Sequence, residues 1–356
     1  MDASVTMRAC GQAGSRGERI EAWTLCGSGG LVVEVINYGA AVTRVSVPDR
    51  DGQADDVVLG FNDPVSYLQG TAYFGAVVGR VAGRVTGARF ELEGTTYSLA
   101  ANDGPNHLHG GLKGFDKKIW KAEPRYSCHG EPALRLTYQS PHLEEGYPGT
   151  VDVTVNYTVT HQNVLRAETC ALADRPTPFS LTFHHYFNLA GESSGSLAGH
   201  DLQIHADEFI PTDGRMTLLG HARPVDGAGC DFRIARNLGE AIPGLFQNHG
   251  DLYVLRGRTP EDDTALPPCA ARLVDRVSGR TLTIFTTASH LQLYTAANLN
   301  EALMGKSGTP YARYAGVCLE CEGYPDGANV PEMGDIVLHP GVPRKDRTFY
   351  AFGIEH

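Results

Sequence analysis

The sequence of 356 residues predicts an all-β protein built as one large antiparallel β-sandwich. Short runs rich in β-branched residues recur along the chain, and many alternate apolar and polar positions as half-buried strands do. Clusters of Gly, Pro, Asp and Asn bound these runs, and the chain contains 42 glycines and 20 prolines. Segments with a helical period are few, and residues 298–304 are the best candidate for one short helix.

The clearest strand candidates lie at 31–36, 133–138, 151–159 and 281–285. All-β chains of more than about 200 residues often form a single domain. We therefore expect one domain over residues 19–356, preceded by a polar N-terminal tail at 1–18.

Composition and charge exclude several classes of protein. The net charge is −11 and the basic residues are scattered, which argues against binding to nucleic acid. No run approaches the roughly 18 apolar residues of a membrane span, and residues 1–21 lack the apolar core of a signal peptide. Eight dispersed cysteines without a secretion signal are expected to be reduced. We expect a cytoplasmic protein with no nucleic-acid or membrane partner.

Four polar clusters lie far apart in the sequence, each on a strand-like stretch, at 79–84, 108–111, 182–189 and 318–326. Together they contain histidines, carboxylates and arginines, which would meet only if the fold brings the four segments together. Such residues can move protons on an uncharged, oxygen-rich substrate.

Strand alternation predicts which of these side chains face a cleft. Neighbouring side chains of a strand point to opposite faces. His184 and Glu320 fall on the polar face of their segments, and His185 falls on the apolar face. Cys318 and Cys321 form a C-x-x-C pattern but face opposite ways, so we do not expect a zinc or redox pair.

An ordered series of further motifs resembles the aldose 1-epimerase (galactose mutarotase) family over residues 20–352. The motifs are Asn102, Asn329 and the segments 37–40, 47–52, 56–61, 73–75, 106–111, 145–149, 324–326 and 338–341.

This resemblance implies an open-ended β-sandwich of the galactose mutarotase-like supersandwich type. It also implies interconversion of the α and β anomers of free aldohexoses such as galactose and glucose, with no cofactor and no metal. By matching motif positions, the resemblance implies that Glu320 is the general base, His184 the general acid and His109 a second active-site histidine. Three further matches suggest contacts with the substrate, made by Arg84, Gln292 and Asn102.

The sequence departs from the family pattern at several positions. The family usually has Asn where Gly83 and Phe183 stand, and Gln where Glu322 stands. The family's sugar-binding Asp falls on Gly250 when the segments are aligned on their aromatic residue, whereas a one-residue shift places Asp251 there. We expect Asp251 to bind a sugar hydroxyl.

Two other functions compete with this expectation. An epimerase for hexose 6-phosphate would need several cationic groups converging on the phosphate, but the polar clusters offer only Arg80 and Arg84. A non-catalytic carbohydrate-binding or sensor protein would not need an acid–base pair, which Glu320 and His184 supply. We expect a monosaccharide as the substrate, and a monomer or homodimer as the assembly.

Overall fold

The computed structural model describes residues 2–13, 17–70, 72–257, 265–300 and 302–355. Within these ranges the chain forms strands, short 3₁₀ turns and one four-residue helix, α1 (Leu238–Ala241). In chain order the strands are β1 (Ser4–Ala13), β2 (Glu18–Cys26), β3 (Val32–Ile36), β4 (Val42–Pro48), β5 (Ala54–Asp56), β6 (Val77–Val78), β7 (Arg84–Val85), β8 (Arg89–Leu92), β9 (Thr95–Ser98), β10 (His107–Leu108), β11 (Lys121–Tyr126), β12 (Pro132–Ser140), β13 (Val151–Val159), β14 (Val164–Ala173), β15 (Thr177–Pro178), β16 (Thr182–Phe183), β17 (His200–Ile204), β18 (Ala206–Ile210), β19 (Arg223–Pro224), β20 (Arg236–Asn237), β21 (Leu252–Leu255), β22 (Cys269–Asp275), β23 (Arg280–Thr286), β24 (His290–Tyr294), β25 (Cys318–Glu322), β26 (Val337–Leu338) and β27 (Arg344–Ile354).

Three antiparallel sheets form the body of the part of the chain that the structure describes. The largest has nine strands in the order β11-β12-β13-β14-β27-β23-β22-β17-β20. Two five-stranded sheets have the orders β1-β2-β3-β4-β5 and β19-β18-β21-β24-β25, and four two-stranded ribbons complete the framework. The architecture confirms the predicted all-β sandwich.

The main core lies where the apolar faces of these sheets meet. On β13, Val151, Val153 and Val155 are buried and alternate with more exposed residues, as a strand with one face in the core requires. Leu319 and Cys321 of β25 belong to the same core, whereas Glu320 and Glu322 lie on the opposite face of the strand. The alternation predicted for this segment is therefore confirmed.

Strand β1 lies inside the segment that was expected to be a polar tail. It pairs with β2 from Ser4 opposite Cys26 to Ala13 opposite Glu18, at the edge of a five-stranded sheet. Most of its side chains are exposed, so its polar composition reflects an edge strand whose backbone makes the stabilising hydrogen bonds.

The helix expected at 298–304 does not form. Residues 298–300 and 302–304 lie in turns and loops, and Glu301 is outside the described residues. The carbonyl oxygen of Leu303 accepts from the backbone N–H of Tyr311, and that of Ala297 accepts from the Arg313 side chain, so contacts with a later segment of the chain override the weak helical pattern. The helix that does form, α1, is capped by the Asn237 side chain.

Within the described residues, no helix is long and apolar enough to cross a membrane.

His185 is a core residue, as alternation predicted. Its ring packs on Phe183, Phe187 and Tyr350, and neither ring nitrogen has a hydrogen-bond partner among the described residues. Burial lowers the pKa of His185 to about 3, so this ring stays neutral in the folded protein at mildly acidic pH.

Replacing this ring with Phe should stabilise the protein, increasingly so as the pH falls. The pKa of an unfolded histidine is about 6.5, so below that pH only the unfolded chain takes up a proton here, and the wild type loses stability. We expect the stability advantage of His185→Phe to grow by about 2 kcal/mol between pH 7.5 and pH 5. Urea unfolding at both pH values measures it, and an advantage independent of pH would show that the ring titrates normally.

Candidate active site

The polar face of β21, β24 and β25 forms one wall of a cavity of about 440 Å³. The remaining walls come from β7, the loop after β10, the segment after β16, the turns around residue 300 and the loops around residues 73, 103, 216 and 249. The polar side chains and rings that line the cavity are Tyr73, Arg84, Asp103, His109, His184, Tyr186, Thr212, His249, Asp251, Gln292, Tyr294, Asn298, Asn300, Glu320 and Glu322.

Strand register places the first of these groups. Leu252 of β21 pairs with Gln292 of β24, and Gln292 pairs with Glu320 of β25. Directly opposed residues share a face of the sheet, so the three side chains form a row along the cavity wall. The Gln292 side-chain amide donates to the carbonyl oxygen of Leu293 at 2.6 Å, which fixes its orientation.

Glu320 is buried at the end of this row, with only 2% of its surface exposed. Its Oε2 has no hydrogen-bond partner among the described residues and lies 3.6 Å from Nε2 of His184. Burial raises the pKa of Glu320 to about 8, although the charge of Arg84 acts in the opposite direction. This carboxyl group can therefore exchange a proton near neutral pH.

His184 is held between two tyrosine rings. The rings of Tyr73 and Tyr186 stack against it at centroid distances of 5.7 Å and 5.0 Å. Its Nδ1 lies 3.6 Å from the Cys318 sulfur, so Nε2 is the nitrogen directed at Glu320. Burial lowers the pKa of His184 to about 3.

The raised pKa of Glu320 and the lowered pKa of His184 favour the form of the pair in which both groups are neutral. This neutral pair of carboxyl and imidazole contains as many protons as the charged pair of carboxylate and imidazolium. The pair can therefore pass between these two forms by moving one proton, without exchange with solvent. In the charged form it offers a base and an acid 3.6 Å apart.

His109 completes the group of titratable side chains. Its ring centroid is 5.3 Å from that of His184. Its Nδ1 accepts a hydrogen bond from the backbone N–H of Gly83 at 3.2 Å, so the neutral ring carries its proton on Nε2. Burial holds the pKa of His109 well below its usual value of 6.5, and the ring is thus a neutral hydrogen-bond donor.

One possible ligand atom from each of His109, His184 and Glu320 lies within 4.8 Å of the others, a spacing that a metal ion could bridge. A histidine that ligates a metal usually donates its other N–H to a neighbouring acceptor. In His109, that other nitrogen instead accepts from Gly83, which leaves Nε2 protonated and unable to ligate. The hydrogen-bonding pattern fits proton transfer better than metal coordination.

The two arginines of the 79–84 cluster have different positions. Arg84 lines the cavity, and its Nε donates to Asp103 at 2.7 Å. Arg80 is buried away from the cavity, where its guanidinium donates to the hydroxyl of Ser140 and to backbone carbonyls, including that of Pro148. Arg80 is thus a structural residue. Among the described residues that line this cavity, Arg84 is the single Arg or Lys.

Asn102 does not line the cavity. Its amide donates to the carbonyl oxygen of Leu108 at 3.0 Å and accepts from the Leu108 N–H at 2.8 Å. These two hydrogen bonds, which resemble those between paired strands, hold the backbone immediately before His109. The position of Asn102 supports a role in placing His109 rather than in contacting a substrate.

The structure also places the positions that depart from the family pattern. Phe183 belongs to the core, and Glu322 lines the cavity beside Glu320. Gly83 has a φ of +73°, and a Cβ atom there would lie 2.4 Å from Pro325. A larger residue at position 83 would therefore require movement of this loop.

Around residue 250 the cavity wall has no space for an additional side chain. Gly250 has a φ of +122°, and a Cβ atom there would lie 2.2 Å from the carbonyl oxygen of Leu293. Asp251 lines the cavity, accepts a hydrogen bond from the backbone of Phe246, and has its pKa raised to about 6 by burial.

His249 is a cavity residue that sequence reasoning missed. Its ring lies 4.5 Å from that of Tyr294, and burial lowers its pKa to about 4. Its position in the sequence could have indicated it, because it precedes the segment 250–251 that departs from the family pattern. Asp103 was also missed, because nothing local in the sequence indicates its pairing with Arg84.

Comparisons with known proteins agree over nearly the whole chain. The sequence model of the aldose 1-epimerase family matches residues 21–351. The chain is 38% identical to galactose mutarotase from Homo sapiens over 353 residues, which is 99% of each protein. It is 31% identical to aldose 1-epimerase from Escherichia coli strain K12 over 336 residues, which is 92% of this chain and 94% of that protein.

Two solved structures are similar in fold. An aldose epimerase homologue from C. elegans gives a TM-score of 0.85 at 27% identity, covering 99% of this chain and 100% of that one. Galactose 1-epimerase from Lactobacillus acidophilus gives a TM-score of 0.83 at 26% identity, with the same coverage.

Proposed function

The chain belongs to the aldose 1-epimerase family and is an aldose 1-epimerase, and from this premise we propose that Glu320 and His184 carry the reaction. The observation that supports these roles is the buried contact of 3.6 Å between Glu320 Oε2 and His184 Nε2 on the cavity wall. Ring opening needs a base and an acid acting together on two oxygens of the same sugar, and this pair provides both.

In the proposed reaction, one proton first moves from Glu320 to His184 and leaves a carboxylate and an imidazolium. The Glu320 carboxylate then removes the proton of the hydroxyl at C1, and the His184 imidazolium protonates the ring oxygen. The bond between C1 and the ring oxygen breaks, and an open aldehyde forms. After rotation about the C1–C2 bond, the former ring oxygen attacks the other face of C1. His184 recovers its proton, Glu320 returns its proton to the oxygen on C1, and both groups regain their starting state.

The remaining cavity residues have proposed binding roles. His109 directs a neutral N–H into the cavity, where it can donate to a sugar oxygen. Arg84, Gln292 and Asp251 offer further hydrogen bonds from three different elements. A wall of donors and acceptors around aromatic rings suits a polar sugar with an apolar ring face.

We propose galactose and glucose as substrates, because relatives of 38% identity are galactose mutarotases. A free sugar is favoured over its 6-phosphate, since a phosphate would call for several converging cations and Arg84 is already paired with Asp103.

We also propose that the enzyme works in the cytoplasm as a monomer or homodimer. The compartment is supported by its eight unpaired cysteines.

Polarimetry on freshly dissolved α-D-galactose and α-D-glucose tests the function. We expect the purified protein to accelerate anomer equilibration of at least one free sugar, with unchanged rates in the presence of a chelator. We also expect a lower kcat/KM for the matching 6-phosphate measured side by side. Rates equal to the spontaneous one on a panel of hexoses and pentoses would contradict the catalytic proposal, and preference for the phosphate would contradict the substrate.

A further inference from the structure

Glu322 is a second buried carboxyl group in the cavity, and the reaction scheme above does not use it. It lies two positions after Glu320 on β25, so both side chains share the face that lines the cavity. Only 2% of its surface is exposed, and its Oε2 has no hydrogen-bond partner among the described residues. A Cβ atom on Gly83 would lie 3.2 Å from its Oε1, which places the carboxyl group at the cavity wall next to Arg84.

The charged and titratable groups around Glu322 do not favour its ionisation in addition to that of Glu320. Glu320 lies on its own strand, and His290 is its direct partner on β24. The His290 ring bonds to Ser289 through Nδ1, and burial lowers its pKa to about 4, so it is neutral at neutral pH. The remaining titratable side chains that line the cavity are Tyr73, Arg84, Asp103, His109, His184, Tyr186, His249, Asp251 and Tyr294.

Arg84 is the one cation that faces both carboxyl groups from the described cavity wall, and it is already paired with Asp103. Two buried carboxyl groups that share so little positive charge do not ionise together. Burial and the proximity of Glu320 raise the pKa of Glu322 well above its usual value, and Arg84 only partly opposes this. Glu322 therefore keeps its proton when Glu320 acts as the base.

We propose that Glu322 binds the sugar as a neutral carboxylic acid, donating its O–H to a sugar oxygen, and that substrate affinity falls when this proton is lost at alkaline pH. This inference rests on the proposed function. A protonated carboxyl group has one donor, whereas a carboxylate only accepts. Ionisation would remove the donor and add a second negative charge beside Glu320, where negative charge already develops on the oxygen at C1.

The test is the pH dependence of KM in the wild type and in Glu322→Gln. Gln has nearly the same size and retains an N–H donor, but it cannot ionise. With the best free sugar, we expect KM of the wild type to rise about tenfold between pH 7 and pH 10, as expected for the loss of one such hydrogen bond. KM of Glu322→Gln should stay level over this range. Parallel KM profiles for the two proteins would overturn the proposal.

Glu332→Gln serves as the matched control, because Glu332 is exposed on the Pro331–Met333 turn and does not line the cavity. It should reproduce the wild-type KM profile.

A second measurement uses Glu320→Gln, in which the side chain at position 320 cannot titrate. The Kd of galactose, from equilibrium titration of tyrosine and tryptophan fluorescence, should still rise at alkaline pH, and a level Kd would also overturn the proposal. Absence of any mutarotation by the wild type would instead contradict the function, so the two failures are distinguishable.

Discussion

Glu320→Gln is expected to lower kcat by about 10²–10⁴-fold, with little change in KM. The amide fits the same buried position at the end of the β24–β25 row, but it cannot accept the proton of the hydroxyl at C1. Because the change removes a group that acts in the transition state, the loss should appear in kcat rather than in KM. Polarimetric initial rates over a range of sugar concentrations measure both constants.

Asp251→Ala is the comparison variant for this prediction. Asp251 lines the same cavity but neither accepts nor donates a proton in the proposed reaction, so only a binding interaction would be lost. A hydrogen bond to a charged group is worth about 1.5–3 kcal/mol, which corresponds to roughly ten- to hundred-fold in kcat/KM. With both variants folded by circular dichroism, Glu320→Gln should be the more damaging. The reverse order would argue that Glu320 is not the base.

His184→Gln should reduce kcat by a similar factor of about 10²–10⁴. Gln can still donate a hydrogen bond to the ring oxygen, but it cannot transfer a proton to it. Because Glu320 and His184 exchange one proton as a unit, the double variant should be little worse than either single variant. Losses that multiply in the double variant would indicate that the two side chains act independently.

His185→Phe is the matched control for His184. The two residues are neighbours in sequence, but His185 packs in the core on Phe183 and Tyr350 and does not line the cavity. We expect its kcat and KM to equal those of the wild type. A loss of activity in this variant would mean that changes in the core disturb the cavity, and the effect of His184→Gln would then need to be corrected for it.

The sequence alone was sufficient where a local pattern determines the direction of a side chain. Successive residues of a strand point to opposite faces, so the pattern of β25 placed Glu320 and Glu322 on one face and Leu319 and Cys321 on the other. The same rule separated His184 from His185. The family resemblance selected Arg84, His109 and Gln292, and the structure brings all three to the same cavity.

Tertiary structure decided what depends on partners remote in sequence. Arg80 proved to be buried, with its guanidinium donating to the hydroxyl of Ser140 and to the carbonyl oxygen of Pro148, because buried donors must find partners wherever the fold provides them. The pairing of Arg84 with Asp103 and the position of His249 in the cavity likewise depend on how separate segments pack together. Local sequence sets the period of a strand and the faces of its side chains. Hydrogen bonding and packing between distant segments decide which of those faces meet, and here they place Glu320 3.6 Å from His184.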